Sequence, residues 1–209
     1  MRPIGCDGEW VEMSEARGEV TIPDGLELGL WIDTRLDFDP RLLLTFEPKS
    51  LDVLEWVSTS KITDSSIRYI RHLAGLKGLA LWESHIGDEG LVYIQELRNL
   101  EWLDIGDTRV SDNGLLNLRP LEFLRSLVLL NDRITDEGLV HLQCLTNLRS
   151  LDLMNTLITD RSVEVLSAMS LKDLRISNTL LTKDGYDRLR SALPDCRIRS
   201  DRVNEKADR

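Results

Sequence analysis

The chain has 209 residues, of which 42% are apolar and 30% are charged, values typical of a soluble protein with a packed core. Its formal net charge of −10 argues against general attraction to nucleic acid, which requires clustered lysine and arginine. The sequence has no run of about 18 apolar residues that would span a membrane and no apolar N-terminal run typical of a secretory signal. Three widely spaced cysteines fit reduced thiols, so we expect a cytoplasmic protein.

Residues 1–50 are predicted to cap the N-terminal end of the fold. Alternating apolar residues on either side of a Pro-Asp-Gly turn signal at 23–25 suggest a hairpin. Residues 26–50 also fit a degenerate first repeat, because Pro40 is well placed to open a short helix after Asp39.

From residue 51 onward the apolar residues recur with a period of about 24 residues. Each unit reads Leu-x-x-Leu-x-Leu, then an Ile-Thr-Asp or Ile-Gly-Asp turn, then apolar residues at helical spacing. The units begin at Leu51, Leu76, Leu100, Leu124, Leu148 and Leu171. Matching apolar positions in six units predict a stack of strand-turn-helix repeats, in which each repeat buries its core against its neighbours.

An aspartate recurs where each helix is expected to begin, and a glycine follows it in most units. The aspartates are Asp64, Asp88, Asp112, Asp136 and Asp160, and the glycines are Gly90, Gly114, Gly138 and Gly185. We expect each carboxylate to satisfy free amides at the start of its helix and to face the positive end of the helix dipole. The glycines are attributed to the geometry of the helix start.

These units resemble the repeats of leucine-rich-repeat proteins, in particular the Ile-Thr-Asp-x-Gly-Leu type of bacterial and F-box-associated repeat proteins. The resemblance covers residues 51–198 and implies an α/β fold, a right-handed solenoid with parallel strands on a concave face and helices on a convex face. It also implies a scaffold for protein recognition. The position usually held by asparagine reads Ser84, Thr108, Asp132, Thr156 and Thr179 here. Residues 199–209 are predicted to be a disordered charged tail.

No catalytic or cofactor-binding pattern is visible in the sequence. The three histidines, His72, His85 and His141, are expected on the surface or in a turn, and Cys144 has no histidine partner and is expected to be packed. The turn acids alternate with Thr, Arg and Ile, which argues against a calcium site. We therefore predict no enzyme activity, no cofactor and no metal.

Alternation along the strands exposes the residues that lie between the core leucines. Trp82, Leu130 and Met154 share one such position on different strands, and Gly106 lies between Trp82 and Leu130, where an indole can lie flat over it. At about 4.8 Å per strand, Trp82 and Met154 are roughly 14 Å apart. Trp102 and Val128 adjoin this strip, and Glu83, Asp104, Asp107 and Asp152 form its rim. Asp152 faces Arg175 on the next strand, which predicts an ion pair.

An aromatic and methionine centre with a polar rim is typical of a protein-binding site. We predict a non-catalytic interaction module, an adaptor or subunit, whose protein partner has a basic or mixed apolar and basic surface. One alternative is a substrate-recognition subunit of a ubiquitin-ligase-type complex, although Gly, Pro and Asp interrupt residues 1–50 too often for a three-helix F-box. A ligand-binding or enzymatic groove is another. In a third alternative, the N-terminal segment of the same chain folds across the strip and buries it. The sequence does not indicate the oligomeric state.

Overall fold

The computed structural model describes residues 29–33, 39–57 and 61–200. Within these residues, eight strands form one open parallel sheet in which every strand pairs with the next one in the chain. The strands are β1 Gly29–Asp33, β2 Val53–Val57, β3 Gly78–Ala80, β4 Trp102–Asp104, β5 Ser126–Val128, β6 Ser150–Asp152, β7 Asp173–Arg175 and β8 Arg197–Arg199. Consecutive repeats are therefore neighbours in space, and the predicted α/β solenoid is confirmed.

Short helices connect the strands. They are a 3₁₀ helix at Pro40–Thr45, α1 Asp64–Ile67, α2 Asp88–Ile94, a 3₁₀ helix at Gly114–Leu118, α3 Asp136–Leu139 with a 3₁₀ turn at Val140–Leu142, α4 Ser162–Ser167 and α5 Lys183–Ala192. Helices of one or two turns are not stable alone, so packing of their apolar side against the sheet stabilises them. Among the helices of the described residues, α5 alone reaches ten residues, and it ends two residues before Pro194, which has no amide hydrogen to continue a helix.

The central leucine of each strand lies directly opposite its counterpart on the neighbouring strands. Leu103 of β4, for example, pairs with Leu79 of β3 on one side and with Leu127 of β5 on the other. All three side chains are buried, and one continuous apolar core runs from Ile32 to Ile198. Because each repeat contributes the same positions to this core, each repeat depends on its neighbours for burial.

The part of the N-terminal region that the structure describes has the order of a repeat. Strand β1 runs parallel to β2, with Leu30 opposite Leu54. The 3₁₀ helix that follows begins at Pro40, and the Asp39 side chain accepts a hydrogen bond from the Arg41 amide (3.0 Å). The predicted hairpin around residues 23–25 and the tail beyond residue 200 lie outside the described residues.

The recurrent aspartates bind the following repeat, which corrects the expectation that they cap their own helices. Asp112 Oδ1, for example, accepts a hydrogen bond from the amide of Thr135 in the next repeat (2.8 Å), and Asp112 Oδ2 accepts one from the Thr135 hydroxyl (2.6 Å). The same contacts join Asp88 to Ser111, Asp136 to Thr159 and Asp160 to Thr182, and Asp64 binds the Gly87 amide. These threonines and Gly87 come just before or at the helix start, so each carboxylate holds the turn of the next repeat in place.

The recurrent glycines make room for these carboxylates. A Cβ atom on Gly138 would lie far inside van der Waals contact with Asp112 Oδ1, and one on Gly90 would lie 2.6 Å from Asp64 Oδ1. Gly114 and Gly185 have the same relation to the aspartate of the preceding repeat. The contact between repeats, more than the geometry of the helix start, therefore explains why these positions lack a side chain.

Replacing Gly138 by alanine tests this link. We expect Gly138→Ala to lower the free energy of unfolding by about 1–3 kcal/mol, because the new methyl group forces the Asp112 carboxylate away from Thr135. Gly87→Ala is the matched control, since its Cβ would meet nothing nearer than 3.7 Å, and it should change stability by less than about 0.5 kcal/mol. Urea unfolding measures both variants, and equal losses would contradict this explanation of the glycines.

Candidate functional site

The side of the sheet turned away from the core, which we call the strand face, carries the predicted binding residues. Trp82, Leu130 and Met154 follow strands β3, β5 and β6 at the same position of their repeats, and we call them the apolar strip. Trp82 is 38% exposed, whereas Leu130 and Met154 are half-buried. The apolar strip is therefore open at Trp82 and partly sheltered at its other end.

Leu130 packs against Gly106. A Cβ atom on Gly106 would lie 3.3 Å from the Leu130 side chain and 3.1 Å from the Leu130 carbonyl oxygen. The side chain nearest to this glycine is therefore Leu130, where the Trp82 indole was expected. The missing side chain at position 106 lets Leu130 lean towards the preceding strand, which fills the gap in the strip.

Trp102 packs within the protein's own surface and does not border an open strip. It pairs with Gly78 of β3, and a Cβ atom at that glycine would overlap the Trp102 indole ring. Trp102 is only 9% exposed, and Val53, at the same register of β2, is 1% exposed. The sequence analysis did not predict this contact between Trp102 and Gly78, because it depends on the direction in which the indole points from its strand.

Carboxylates line the middle of the strand face. Asp104 and Asp152 flank the half-buried Val128 in the register of the sheet, and Glu55 lies on β2 in the same row. Burial raises the pKa of Asp104 to about 6, an effect that its hydrogen bond from the Gly106 amide opposes and the nearby Asp152 and Asp107 reinforce. Burial, followed by repulsion from Asp104, also raises the pKa of Glu55. Ionisation of these partly buried acids is therefore unfavourable, and a nearby cation would offset this effect.

The predicted ion pair between Asp152 and Arg175 is present. The Arg175 guanidinium lies 3.2 Å from Asp152 Oδ2 across strands β6 and β7. Burial raises the pKa of Asp152, although the Met154 amide and Arg175 both stabilise its charged form. Asp173 of β7 in turn binds Arg199 of β8 at 2.8 Å. At the C-terminal end of the strand face, acids are therefore paired with arginines.

A row of residues with left-handed backbone borders the apolar strip, and the sequence analysis did not predict this conformation. Glu83, Asp107, Asn131, Asn155 and Asn178 all have φ between 55° and 62°. The Asn131 amide donates to Asp107 Oδ2 (2.7 Å), and the Asn155 amide donates to Asn131 Oδ1. Asparagine tolerates this conformation better than other non-glycine residues, so three asparagines in register were the available signal. The row places the predicted rim residues Glu83 and Asp107 beside the strip.

Asp132 is a buried carboxyl group below the strand face. It is 2% exposed, and its Oδ1 accepts from the Thr108 amide (2.9 Å) and hydroxyl (3.1 Å), while Oδ2 is buried without a hydrogen-bond partner. Burial raises the pKa of Asp132 to about 7, against the opposing effect of the bonds from Thr108 and with the help of Asp107 and Asp104. At the same position of the next repeat, the Thr156 hydroxyl donates to the Leu153 carbonyl, a bond that an ionised carboxylate cannot form.

The remaining candidates for chemistry stay apart in the structure. His85 is exposed, and His72, expected on the surface, is half-buried with its Nε2 atom 3.1 Å from the Phe46 carbonyl oxygen. Cys144 is exposed, not packed as expected, and its thiol donates to the His141 carbonyl. Among the described residues, no three metal-ligating side chains gather at one point.

No helix in the described part is long and apolar enough for a membrane span.

Comparisons with known proteins agree with this architecture. A family profile described as "Leucine Rich repeat" matches residues 144–167, which include β6 and α4. A solved leucine-rich-repeat protein of Leptospira interrogans is 20% identical, with a TM-score of 0.50 over 72% of this chain and 37% of that one. An internalin of Listeria monocytogenes is 19% identical, with a TM-score of 0.51 over 75% of this chain and 49% of that one.

No curated protein sequence matches the chain. The chain spans less than half the length of both solved proteins that it resembles, and at these identities the likeness concerns the fold. The chain is therefore similar to bacterial leucine-rich-repeat structures in its stacked strand-and-helix units.

The raised pKa of Asp132 predicts that the protein loses stability as the pH rises. Between the ordinary pKa of about 3.9 and the native value of about 7, the folded carboxyl group keeps a proton that the unfolded chain releases. Its stabilising effect is therefore complete below about pH 4 and is lost as the pH rises to about 7. Asp132→Asn keeps the acceptor for Thr108 and cannot ionise. From pH 5 to pH 8 the variant should gain on the order of 2 kcal/mol relative to the wild type.

Urea unfolding of both proteins across this pH range measures the difference. The comparison isolates Asp132, because Asp104 and Asp152 titrate in both proteins. Parallel stability profiles would show that Asp132 is ionised in the folded state at pH 5.

Proposed function

We propose that the chain is a non-catalytic protein-interaction module that binds a partner protein on its strand face. The observation that carries this proposal is the exposed Trp82 indole beside Leu130 and Met154 on a rigid sheet. Aromatic and methionine side chains surrounded by polar groups are enriched at the centres of protein interfaces. The leucine-rich-repeat fold, a general scaffold for protein recognition, supports the same function.

The proposed partner presents apolar side chains next to basic ones. Asp104 has no ion pair among the described residues, and its pKa is raised by burial, so a lysine or arginine from the partner would stabilise its charged form. Glu83 and Asp107 add acidic groups at the edge of the strip. Apolar contact with the strip and charge contact with this rim together define the partner surface.

An adaptor or subunit role in the cytoplasm fits this proposal. No contact among the described residues favours a catalytic groove, and neither the family profile nor the two solved structures points to a ubiquitin-ligase complex. We therefore propose binding alone as the activity. The partner-binding residues are Trp82, Leu130, Met154, Val128, Glu83, Asp104 and Asp107, whereas Trp102 supports the face from within.

The apolar strip can be tested by removing its two most separated side chains. Trp82→Ala with Met154→Ala should leave the stability within about 1 kcal/mol of the wild type, because neither side chain belongs to the buried core. The matched control is Leu116→Ala with Val140→Ala, which removes exposed apolar side chains from the helices. In an affinity capture with mass spectrometry, a partner should be retained by the wild type and the control and lost from the Trp82 and Met154 variant. Retention by all three proteins would place the binding site elsewhere.

Glu83 offers a test that separates binding from stability. Its left-handed backbone suits asparagine better than glutamate, so Glu83→Asn should keep or raise stability, by about 0.5–1 kcal/mol. The same change removes a charge from the rim and should weaken capture of a basic partner, most clearly at low salt. Unchanged affinity, measured with the captured partner at low ionic strength, would exclude Glu83 from the site.

A further inference from the structure

The side of the molecule formed by the short helices, which we call the helix face, carries three exposed aliphatic residues in a row. Val92, Leu116 and Val140 hold the same position in three consecutive repeats. Their side chains are exposed, whereas the leucine that precedes each of them is fully buried. Because consecutive repeats are neighbours in space, the three residues lie side by side, and we call them the aliphatic ridge.

Oppositely charged residues stand at the two ends of the aliphatic ridge. Arg68 holds the ridge position in the repeat before Val92, and Glu164 holds it in the repeat after Val140. The five residues follow one another at intervals of 24 residues, and each lies in a helix or directly after one. In chain order, the row therefore consists of a cation, three aliphatic residues and an anion.

The two terminal charges have no opposite charge beside them in the described part of the chain. Arg68 donates from Nη2 to the Tyr69 hydroxyl (2.6 Å), and its guanidinium lies 4.7 Å from the centre of that ring. These contacts hold the guanidinium at the surface without neutralising it. Glu164 is exposed in the first turn of α4. Among the described residues, neither side chain forms an ion pair.

The fold itself does not require aliphatic residues at the ridge position. Arg68 and Glu164 occupy this position in the outer repeats, and the core beneath them is as closed as elsewhere. The exposed residues three positions earlier in the three ridge repeats are polar: Glu89, Asn113 and Glu137. The apolar surface is therefore a narrow line with a polar border, which indicates a contact surface.

We propose that the aliphatic ridge binds a second copy of this chain, with the two ridges running in opposite directions about a two-fold axis. A two-fold contact brings the same surface of both copies together, so the row must complement its own reverse. Reversal places Leu116 against Leu116 and Val92 against Val140. It also places Arg68 against Glu164 at both ends. Parallel alignment would instead bring like charges together, which is unfavourable.

The order of the row favours a second copy over an unrelated protein, because both its apolar centre and its charged ends are self-complementary. Three aliphatic residues on each copy make a small contact, typical of transient interfaces, so the dimer should form reversibly as the concentration rises. The strand face lies on the other side of the sheet and stays open in this dimer. The proposal therefore does not depend on partner binding at the apolar strip.

Sedimentation equilibrium of the full chain over a range of micromolar concentrations tests the proposal. The wild type should behave as a monomer and a dimer in reversible equilibrium. Leu116→Asp should raise the dissociation constant of the dimer at least tenfold, because it would bury two like charges at the centre of the contact. Its melting temperature should stay close to that of the wild type, because Leu116 is exposed. A wild type that stays monomeric at every concentration would overturn the proposal.

Charge reversal separates the two-fold contact from unspecific apolar association. Arg68→Glu and Glu164→Arg should each weaken self-association several-fold at low salt, because each places like charges at both ends of the contact. An equimolar mixture of the two variants should associate about as tightly as the wild type, since every terminal pair is again opposite in charge. A mixture that associates no better than either variant alone would overturn the two-fold arrangement.

Arg98→Glu is the matched control for Arg68→Glu. Arg98 is an exposed arginine in the loop between α2 and β4, outside the ridge, and the variant changes the net charge equally. It should change the dissociation constant of the dimer less than twofold. Equal weakening by Arg98→Glu and Arg68→Glu would show an effect of net charge alone and would overturn the pairing of Arg68 with Glu164.

Discussion

The contact between an aspartate and the turn of the following repeat is the interaction on which this structure depends most. A carboxylate that accepts from both an amide and a hydroxyl, as Asp160 does from Thr182, forms charge-assisted bonds that are stronger than neutral ones. The Thr182 hydroxyl and amide lower the pKa of Asp160 for the same reason. The core positions hold similar apolar residues in every repeat, whereas this contact requires the aspartate, the hydroxyl and the small residue of successive repeats to coincide.

Because the register is fixed, residues at the same position of successive repeats line up in rows across the sheet. Within one row each residue meets only its counterparts on the adjacent strands, so its surroundings depend on two neighbours. The absence of a side chain at Gly78 makes room for the Trp102 indole, and its absence at Gly106 makes room for Leu130. A larger residue at either glycine would therefore displace the side chain of the next strand. Function in such a protein is encoded by the order of residues within a row, because the core positions are nearly constant.

The sequence predicted those constant positions well and predicted the direction of side chains poorly. Periodic leucines identify the strands, the core and the strand face, because alternation and helical spacing follow directly from backbone geometry. The hydrogen-bond partner of a given aspartate does not follow from its position in the sequence, because its carboxylate is close both to the start of its own helix and to the turn of the next repeat. The same holds for Trp102, because its contact with Gly78 depends on the rotamer of the indole. Burial of Asp132 was readable from its repeat position, but its raised pKa depends on Asp104 and Asp107, which only the stack brings close.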